Sequence, residues 1–368
     1  MKKSITFLTA TFCFCLTGTM LHAQENLLDY AKMQSQILHY AVTKTSEPIL
    51  IDGDDSESSW NKAQWTSSFI DIEGASKSKP LYDSKVKMLW DEEHLYIYAL
   101  MEEPHIWADL INHDDIIYHN NDFEVFLKPY PMQAFYYEIE VNPLNTVMDL
   151  MMAKPYRHGG EAIMHWDVKG LRSAVRIKGT LNDPSDKDQY WTVEMAIPFK
   201  ALSTYGRNAT PKLNEHWRIN FSRVQWQHQL RDNTYERLQH NNKLQPEDNW
   251  VWSPIGLVNM HYPERWGYLQ FVNTHLDEIQ KPTYANLETA AWNLHYLQRL
   301  FKMDHQVFAS DIKELQSHFP SLKLPVETYA SYFSTNNAKT FYQIKLTDTQ
   351  ENISFSIDSH GYYKIDYE

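Results

Sequence analysis

The chain has little cysteine, no long hydrophobic run and a shortage of positive charge. Its two cysteines, Cys13 and Cys15, both precede Ala23, so a chain cleaved after Ala23 has no disulfide and no cysteine-based metal site. The apolar run from Ile5 to about Leu16 is too short to cross a bilayer as a helix. The stability of the mature chain must therefore come from its packed core.

The first segment nevertheless has the composition of a secretory signal peptide. Lys2 and Lys3 precede the apolar run, and Ala23 is a small residue at the expected cleavage site. The sequence predicts a signal peptide over residues 1–23, cleaved near Ala23, and a secreted or periplasmic protein.

Acidic residues outnumber basic ones, which gives a formal net charge of −13 over 368 residues. The predicted signal peptide contains two lysines and no acids, so the cleaved chain is more acidic still. This charge argues against nucleic acid or an anionic membrane as partner. The 17 histidines are scattered, and no pair has the His-x-x-x-His spacing typical of a zinc enzyme. No nucleophile elbow, phosphate loop or dinucleotide fingerprint is present.

The segment 121–142 predicts the central structural element, a β-hairpin. Apolar residues alternate with polar ones in two runs separated by a proline-containing turn over 128–133. If the two strands pair, one face is apolar. The other face brings together three acidic residues, which are Glu124, Glu138 and Glu140.

The rest of the chain predicts a mostly β protein. Short alternating runs separated by turn signals over residues 41–273 indicate an antiparallel β-sandwich or barrel. Residues 24–40 are polar and are interpreted as a linker. Helical spacing from Asn286 to Met303, followed by four strand patterns, predicts a small α+β domain over residues 274–368. Four tryptophans on or beside predicted strands are assigned to the core: Trp90, Trp191, Trp217 and Trp252.

A set of short motifs in a fixed order resembles a known family. The motifs are Ile51-Asp52-Gly53, Leu89-Trp90-Asp91, Asn121-Asp122-Phe123-Glu124, Tyr136-Tyr137-Glu138, Trp191-Thr192-Val193-Glu194, Trp217-Arg218-Ile219-Asn220 and Asp248-Asn249-Trp250. From about Ile49 to Phe271 the sequence resembles the bacterial carbohydrate-binding module family 9-like domains, relatives of the DOMON-type sandwich. The resemblance implies a jelly-roll or DOMON-like β-sandwich.

The resemblance also implies a sugar site in which two aromatic rings hold the end of a glycan. Tyr118 and Glu124 occupy the positions of the first aromatic residue and the motif glutamate. His261, Tyr262 and Trp266 are available for the second ring. An arginine of the family site would fall near Glu140, so the chain departs from the pattern there.

The acidic residues Glu124, Glu138 and Glu140 admit several interpretations. They could accept hydrogen bonds from sugar hydroxyls, coordinate calcium or act as a glycosidase pair. Alternatively, Lys154 and Arg157 from a facing loop could neutralise them. Arg157 could also replace the missing family arginine in the sugar site.

Members of the family bind structural calcium, and calcium is the only cofactor that the resemblance implies. Asp114, Asp115 and Asp183 lie in acidic loops that could hold calcium or be ordinary solvated turns. The choice between the two is open at this stage.

Together these features predict a secreted, non-catalytic carbohydrate-binding protein for plant-type or other glycans in polysaccharide breakdown, with hydrolases as possible partners. One alternative is a structural or protein-interaction sandwich without a working sugar site. Another is an accessory to a glycoside hydrolase in xylan degradation. A DOMON-type haem or redox carrier is a further alternative, against which the lack of cysteine and of a clear axial pair argues.

Overall fold

The computed structural model describes residues 30–274, 276, 279–322, 324 and 328–367. The predicted signal peptide, residues 1–23, lies outside the described residues. The chain divides into two compact units, one over residues 35–282 and one that includes residues 283–368 together with the described residues 30–34. No helix in the described residues is long and apolar enough to cross a membrane.

The larger unit consists of strands joined by loops and short 3₁₀ turns. Its strands are β1 (His39–Lys44), β2 (Ile70–Asp71), β3 (Ser84–Trp90), β4 (His94–Glu102), β5 (Phe123–Lys128), β6 (Tyr136–Val141), β7 (Val147–Met152), β8 (Ala162–Ile163), β9 (Arg172–Lys178), β10 (Tyr190–Pro198), β11 (His216–Gln225), β12 (His228–Arg231), β13 (Thr234–Arg237), β14 (Gln239–His240), β15 (Lys243–Leu244), β16 (Asp248–Val251) and β17 (Gly267–Val272).

Most of these strands belong to one large mixed sheet with the order β8-β7-β6-β5-β11-β17-β1-β3-β4-β10-β9. In addition, β16 pairs with β11, and β2 pairs with β16. All its neighbours are antiparallel except β1, which runs parallel to both β17 and β3. Val86 and Val193 from one half of this order pack in the same core cluster as Phe123, Ile139 and Phe221 from the other. The mostly β, sandwich-like architecture predicted from the sequence is confirmed.

Large aromatic side chains fill this core. All four tryptophans assigned to the core are at most 3% exposed. The ring of Trp217 packs edge-to-face on Phe271 with the centroids 4.7 Å apart. Aromatic rings bury large apolar areas, which stabilises a unit whose sequence contains no cysteine.

The central hairpin forms as predicted. β5 pairs with β6, and Val125 lies opposite Ile139. Phe123, Val125 and Leu127 point into the main core, so period-2 alternation turns Glu124 and Phe126 to the other face. This face is the one that forms the candidate site.

The smaller unit combines two helices, α1 (Ala285–His305) and α2 (Ile312–His318), with an antiparallel sheet. The strands of this sheet are β18 (Ala330–Thr335), β19 (Tyr342–Asp348), β20 (Ile353–Asp358) and β21 (Tyr363–Tyr367). α1 packs on β19 and β20, and the hydroxyl of Tyr342 lies 2.7 Å from Nδ1 of His295 in its buried core. The predicted α+β character is confirmed.

The predicted domain limits differ from these units in one place. The interpretation of residues 24–40 as a linker does not hold for its last two residues, because His39 and Tyr40 belong to β1 and pair with β17. The sequence places the domain boundary near residues 274–283, and the larger unit ends at Pro282.

Candidate functional site

A cavity of about 360 Å³ opens on the face of β5, β6 and β7 that carries the acidic residues. Its volume lies within the usual range for small-molecule sites, about 300–1,000 Å³. Acidic, aromatic and sulfur-containing side chains surround it. The lining residues are Ile116, Tyr118, Glu124, Phe126, Glu138, Glu140, Met148, Leu150, Tyr156, Met164, Val224, Glu247, Asn249, Met260 and His261.

Strand pairing brings the acids together. Glu124 of β5 lies directly opposite Glu140 of β6, and Glu138 lies opposite Phe126. Asp122 precedes β5 on the same face. One carboxylate oxygen from each of Asp122, Glu124 and Glu140 lies within 4.8 Å of the others. All four acids are buried, with exposures between 0% and 6%.

Burial makes ionisation of these acids unfavourable. It raises the pKa of Glu124 to about 7. Burial and the nearby charge of Glu124 raise the pKa of Glu138 to about 8. The pKa values of Asp122 and Glu140 are also raised well above their usual range by burial and by neighbouring carboxylates. Near neutral pH the cluster therefore holds protons, and it can both donate and accept hydrogen bonds.

Within the described residues, no basic side chain forms an ion pair with the three glutamates of the cluster. Among the ion pairs of the described residues, none includes Glu124, Glu138 or Glu140. The Oε2 atom of Glu138 and the Oδ2 atom of Asp122 are buried without a hydrogen-bond partner in the described part of the chain. Burying a polar atom in this way lowers the stability of the fold unless a hydrogen-bond partner binds it.

Arg157 lies elsewhere than the sequence suggested. Both oxygens of Glu264 accept from its Nη2, at 2.7 and 2.8 Å, and its guanidinium stacks 3.9 Å over the ring of Tyr262. Neither Arg157 nor Tyr262 lines the cavity. These two residues therefore support the loop that follows β16, which carries His261.

His261 does line the cavity. Its Nδ1 lies 2.7 Å from the hydroxyl of Tyr136. Burial and the positive charge of Arg157 lower its pKa to about 4, so it is neutral at physiological pH. The structure thus places His261, and neither Tyr262 nor the buried Trp266, at the cavity.

Tyr118 lies at the mouth of the cavity, where its side chain is 43% exposed. Its backbone N–H donates to Oε2 of Glu140 at 3.0 Å, and its carbonyl accepts from the indole N–H of Trp226 at 2.8 Å. These bonds fix the 3₁₀ turn Ile117–His119. The ring is therefore held beside the acids while one side remains open to solvent.

A second half-exposed tyrosine, Tyr156, lines the cavity and was not among the predicted residues. It begins the 3₁₀ turn Tyr156–His158, which ends at Gly159 with φ of 74°. A Cβ on Gly160 would lie 1.7 Å from the carbonyl oxygen of Lys154, so the turn requires glycine there. The ring of Tyr156 contacts the ring of His261 edge-to-face, with the centroids 4.6 Å apart.

Several further lining residues also escaped sequence reasoning. Met148, Met164 and Met260 form apolar parts of the cavity, and Glu247 and Asn249 come from the region of β16. No local pattern marks them, because they reach the site through pairing between distant strands. Asp122 belongs to the acidic cluster without lining the cavity, and the sequence marks it because it shares a face with Glu124.

The three aspartates considered for calcium lie apart from the cavity. Asp115 accepts from the backbone and side chain of Asn112, and Asp183 accepts from the backbone N–H of Ser185, as turn-forming aspartates do. Asp114 lies 3.6 Å from Nε2 of His113 in a second polar cluster.

Comparison with known proteins gives one family match. Residues 51–232 match the model of the family described as carbohydrate family 9 binding domain-like. The comparison with curated proteins gives no match.

Three solved structures are similar to part of the chain. A candidate carbohydrate-binding protein from Bacteroides uniformis shares 16% identity and covers 64% of this chain and 100% of its own, with a TM-score of 0.47. A family 9 carbohydrate-binding module from Caldicellulosiruptor kristjanssonii in complex with cellotriose shares 14% sequence identity with this chain. It covers 66% of this chain and 98% of its own, with a TM-score of 0.39. A family 9 carbohydrate-binding module from the same organism in complex with glucose shares 15% sequence identity with this chain. It covers 66% of this chain and 100% of its own, with a TM-score of 0.39.

Proposed function

Because residues 51–232 belong to the carbohydrate family 9 binding domain-like family, we propose that this protein binds carbohydrate in the cavity beside Tyr118 and Glu124. The observation that carries the proposal is the composition of that cavity. Buried carboxyls from two paired strands and two half-exposed tyrosine rings line the same space.

Each part of the cavity suits a sugar ring. The axial C–H groups of a pyranose pack on aromatic faces such as those of Tyr118 and Tyr156. Carboxyls that hold protons near neutral pH can accept from one hydroxyl and donate to another. The unpartnered Oε2 of Glu138 would gain a hydrogen bond from such a hydroxyl. The volume suits the terminal one or two units of a glycan rather than a long chain.

Isothermal titration calorimetry of the cleaved chain with glucose and with cello- and xylo-oligosaccharides tests the proposal. At least one of these sugars is expected to bind. Glu124→Gln is expected to weaken that binding about tenfold or more, since a hydrogen bond to a carboxyl that is charged, or that shares a proton with a neighbouring carboxyl, contributes about 1.5–3 kcal/mol. Unchanged affinity in this variant would place the sugar elsewhere. No binding to any sugar of the panel would favour the structural or protein-interaction alternative.

Calcium is a second candidate ligand of the same acids, favoured by the convergence of oxygens from Asp122, Glu124 and Glu140. Oxygen ligands from several carboxylates are the ones that calcium prefers. Repeating the titration after chelation and then with added Ca²⁺ separates the two proposals. A sugar site that depends on calcium loses its binding heat after chelation, and a sugar site built of side chains alone keeps it.

We further propose that the protein is exported, binds plant-type or other glycans without cleaving them, and acts beside separate hydrolases. Mass spectrometry of the exported protein is expected to show a chain that begins after Ala23. Incubation with xylan and cellulose is expected to release no reducing sugar. Release that is abolished in Glu138→Gln would instead indicate a glycosidase.

A further inference from the structure

A second polar cluster lies on the opposite face of β7 from the cavity. Met148 and Leu150 line the cavity, so the intervening Asp149 points to the other side of the sheet. There the Nε2 atom of His113 faces three carboxylates. It lies 3.6 Å from Oδ1 of Asp114, 3.5 Å from Oδ1 of Asp149 and 3.3 Å from Oδ1 of Asp167.

The imidazole is held in the orientation expected of a metal ligand. Nδ1 of His113 lies 2.9 Å from the carbonyl oxygen of Val147. Because a carbonyl only accepts, Nδ1 carries the proton of this bond, which leaves Nε2 directed at the three carboxylates. Metal-binding histidines usually donate their second ring nitrogen to a carbonyl or carboxylate in this way.

Hydrogen bonds also hold the backbone of Asp114 and the side chain of Asp149 in place. The backbone N–H of Asp114 donates to the same Val147 carbonyl at 3.1 Å, and Asp114 adopts a left-handed conformation with φ of 64°. Asp149 is 2% exposed, and one of its oxygens accepts from the backbone N–H of Val168. Its other oxygen, Oδ1, is buried without a hydrogen-bond partner in the described residues and is directed at His113.

The spacing fits a small divalent ion. In a tetrahedral zinc site with bonds of about 2.0–2.1 Å, neighbouring ligand atoms lie about 3.3–3.4 Å apart. The three distances from Nε2 of His113, 3.3–3.6 Å, lie close to this value. Two of the three are too long for good hydrogen bonds, so a proton on Nε2 would satisfy one carboxylate well and leave the others poorly bound.

We propose that His113, Asp149 and Asp167, whose ligand atoms all lie within 4.8 Å of one another, form a binding site for a divalent transition-metal ion of the zinc class, with Asp114 as a neighbouring negative charge. One imidazole and two carboxylates, with water in the remaining position, match the ligand preferences of such ions. Only one imidazole is paired with the three aspartates, so the positive charge of the ion compensates their negative charge. Its role is to tie the loop that precedes Tyr118 to β7 and to the segment before β9.

Titration of the chelator-treated, full cleaved chain with Co²⁺ and Zn²⁺ tests this site. One equivalent of Co²⁺ is expected to give the visible absorption of a tetrahedral complex, and Zn²⁺ is expected to displace it. Asp167→Asn is the decisive variant, because Asp167 is largely exposed and its replacement leaves the fold intact. It should weaken binding about tenfold or more.

Asp149→Asn and His113→Gln should abolish the signal, with circular dichroism as a check on folding. Asp115→Asn is the matched control, since Asp115 is a neighbouring aspartate that only caps its own loop, and it should bind like the unmodified chain. Absence of the Co²⁺ spectrum, or equal binding in Asp167→Asn, would overturn the proposal and leave a protonated histidine among three aspartates. Sugar binding should survive the loss of the metal site, so failure of one proposal is distinguishable from failure of the other.

Discussion

At the scale of single residues, the acidic cluster is the feature whose burial is best explained by a bound ligand. Asp122, Glu124, Glu138 and Glu140 are buried side by side without a basic partner among the described ion pairs. A protein retains such an arrangement at a cost in stability. A functional role for the cavity accounts for that cost.

The cost can be measured through its pH dependence. The folded-state pKa values of Glu124 and Glu138, about 7 and about 8, lie above the ordinary value of 4.5. Between these limits the folded state binds more protons than the unfolded state, so the free energy of unfolding falls as the pH rises from about 4.5 to about 8. Urea denaturation over this range is expected to show the decline in the absence of ligand.

Glu138→Gln should reduce that decline. At pH 8.5 this variant is expected to be more stable than the unmodified chain by about 1–3 kcal/mol, because an amide has no charge to desolvate. Near pH 4 the two should be similar. Glu351→Gln, at an exposed position, is the control. A Glu138→Gln variant that is less stable at high pH would mean that the ionised carboxylate has a favourable partner.

Tyr118 gives a second residue-scale prediction. Tyr118→Ala removes a ring that is 43% exposed at the mouth of the cavity, so it should change stability little. Affinity for the sugar should fall about tenfold or more, because stacking on an aromatic face is lost. Calorimetry measures the loss, and Tyr205→Ala, a fully exposed ring outside the cavity, should leave the affinity unchanged. Equal affinity in Tyr118→Ala would exclude the ring from the site.

At the scale of structural elements, the loop after β16 depends on a buried ion pair. The side chains of Arg157 and Glu264 are only 10% and 3% exposed. Arg157→Ala would remove the guanidinium from which both buried oxygens of Glu264 accept, which is expected to cost about 3 kcal/mol or more. Arg176→Ala, whose partner Asp54 lies at the surface, should cost less than about 1 kcal/mol.

Denaturation curves of the two arginine variants test the assignment of Arg157 to structure. The loop carries His261 to the cavity, so Arg157→Ala should also weaken sugar binding indirectly. The double variant Arg157→Leu/Glu264→Leu, which removes both charges, should recover most of the stability. If Arg157→Ala lost affinity while keeping full stability, the arginine would instead contact the sugar directly.

The sequence was most informative about elements whose pattern is local. Alternation over residues 121–142 predicted the β5–β6 hairpin, its apolar face and the acidic face opposite. The strand β1 was missed because its residues are not strongly alternating. Its two parallel neighbours, β3 and β17, lie far away in the sequence. Tyr156 and Met260 were missed for the same reason, since only the folded sheet brings their loops together.

At the scale of the whole molecule, each compact unit has a core of its own. All residues that line the cavity belong to residues 35–282. The C-terminal unit has its own buried contacts between α1 and β19, such as that of His295 with Tyr342. The described residues of this second unit contribute none of the side chains that line the cavity.

This division predicts that residues 35–282 fold alone. The separate unit should show cooperative unfolding and should bind sugar within about twofold of the affinity of the cleaved chain, as an autonomous domain does. Calorimetry on both proteins measures the difference. A fragment that is unfolded would contradict the prediction by showing that the second unit is needed for folding. A fragment that is folded but binds more than about tenfold more weakly would show that the second unit contributes to the site.

The central claim is that the acidic cavity between β5, β6 and β7 and its loops is the place where a glycan binds. The most direct test is a crystal structure of the cleaved chain with a bound cello- or xylo-oligosaccharide. A terminal sugar ring is expected in this cavity, in contact with the ring of Tyr118 and with its hydroxyls bonded to the carboxyls of Glu124 and Glu138. A sugar bound at another surface, with this cavity filled only by water, would contradict it.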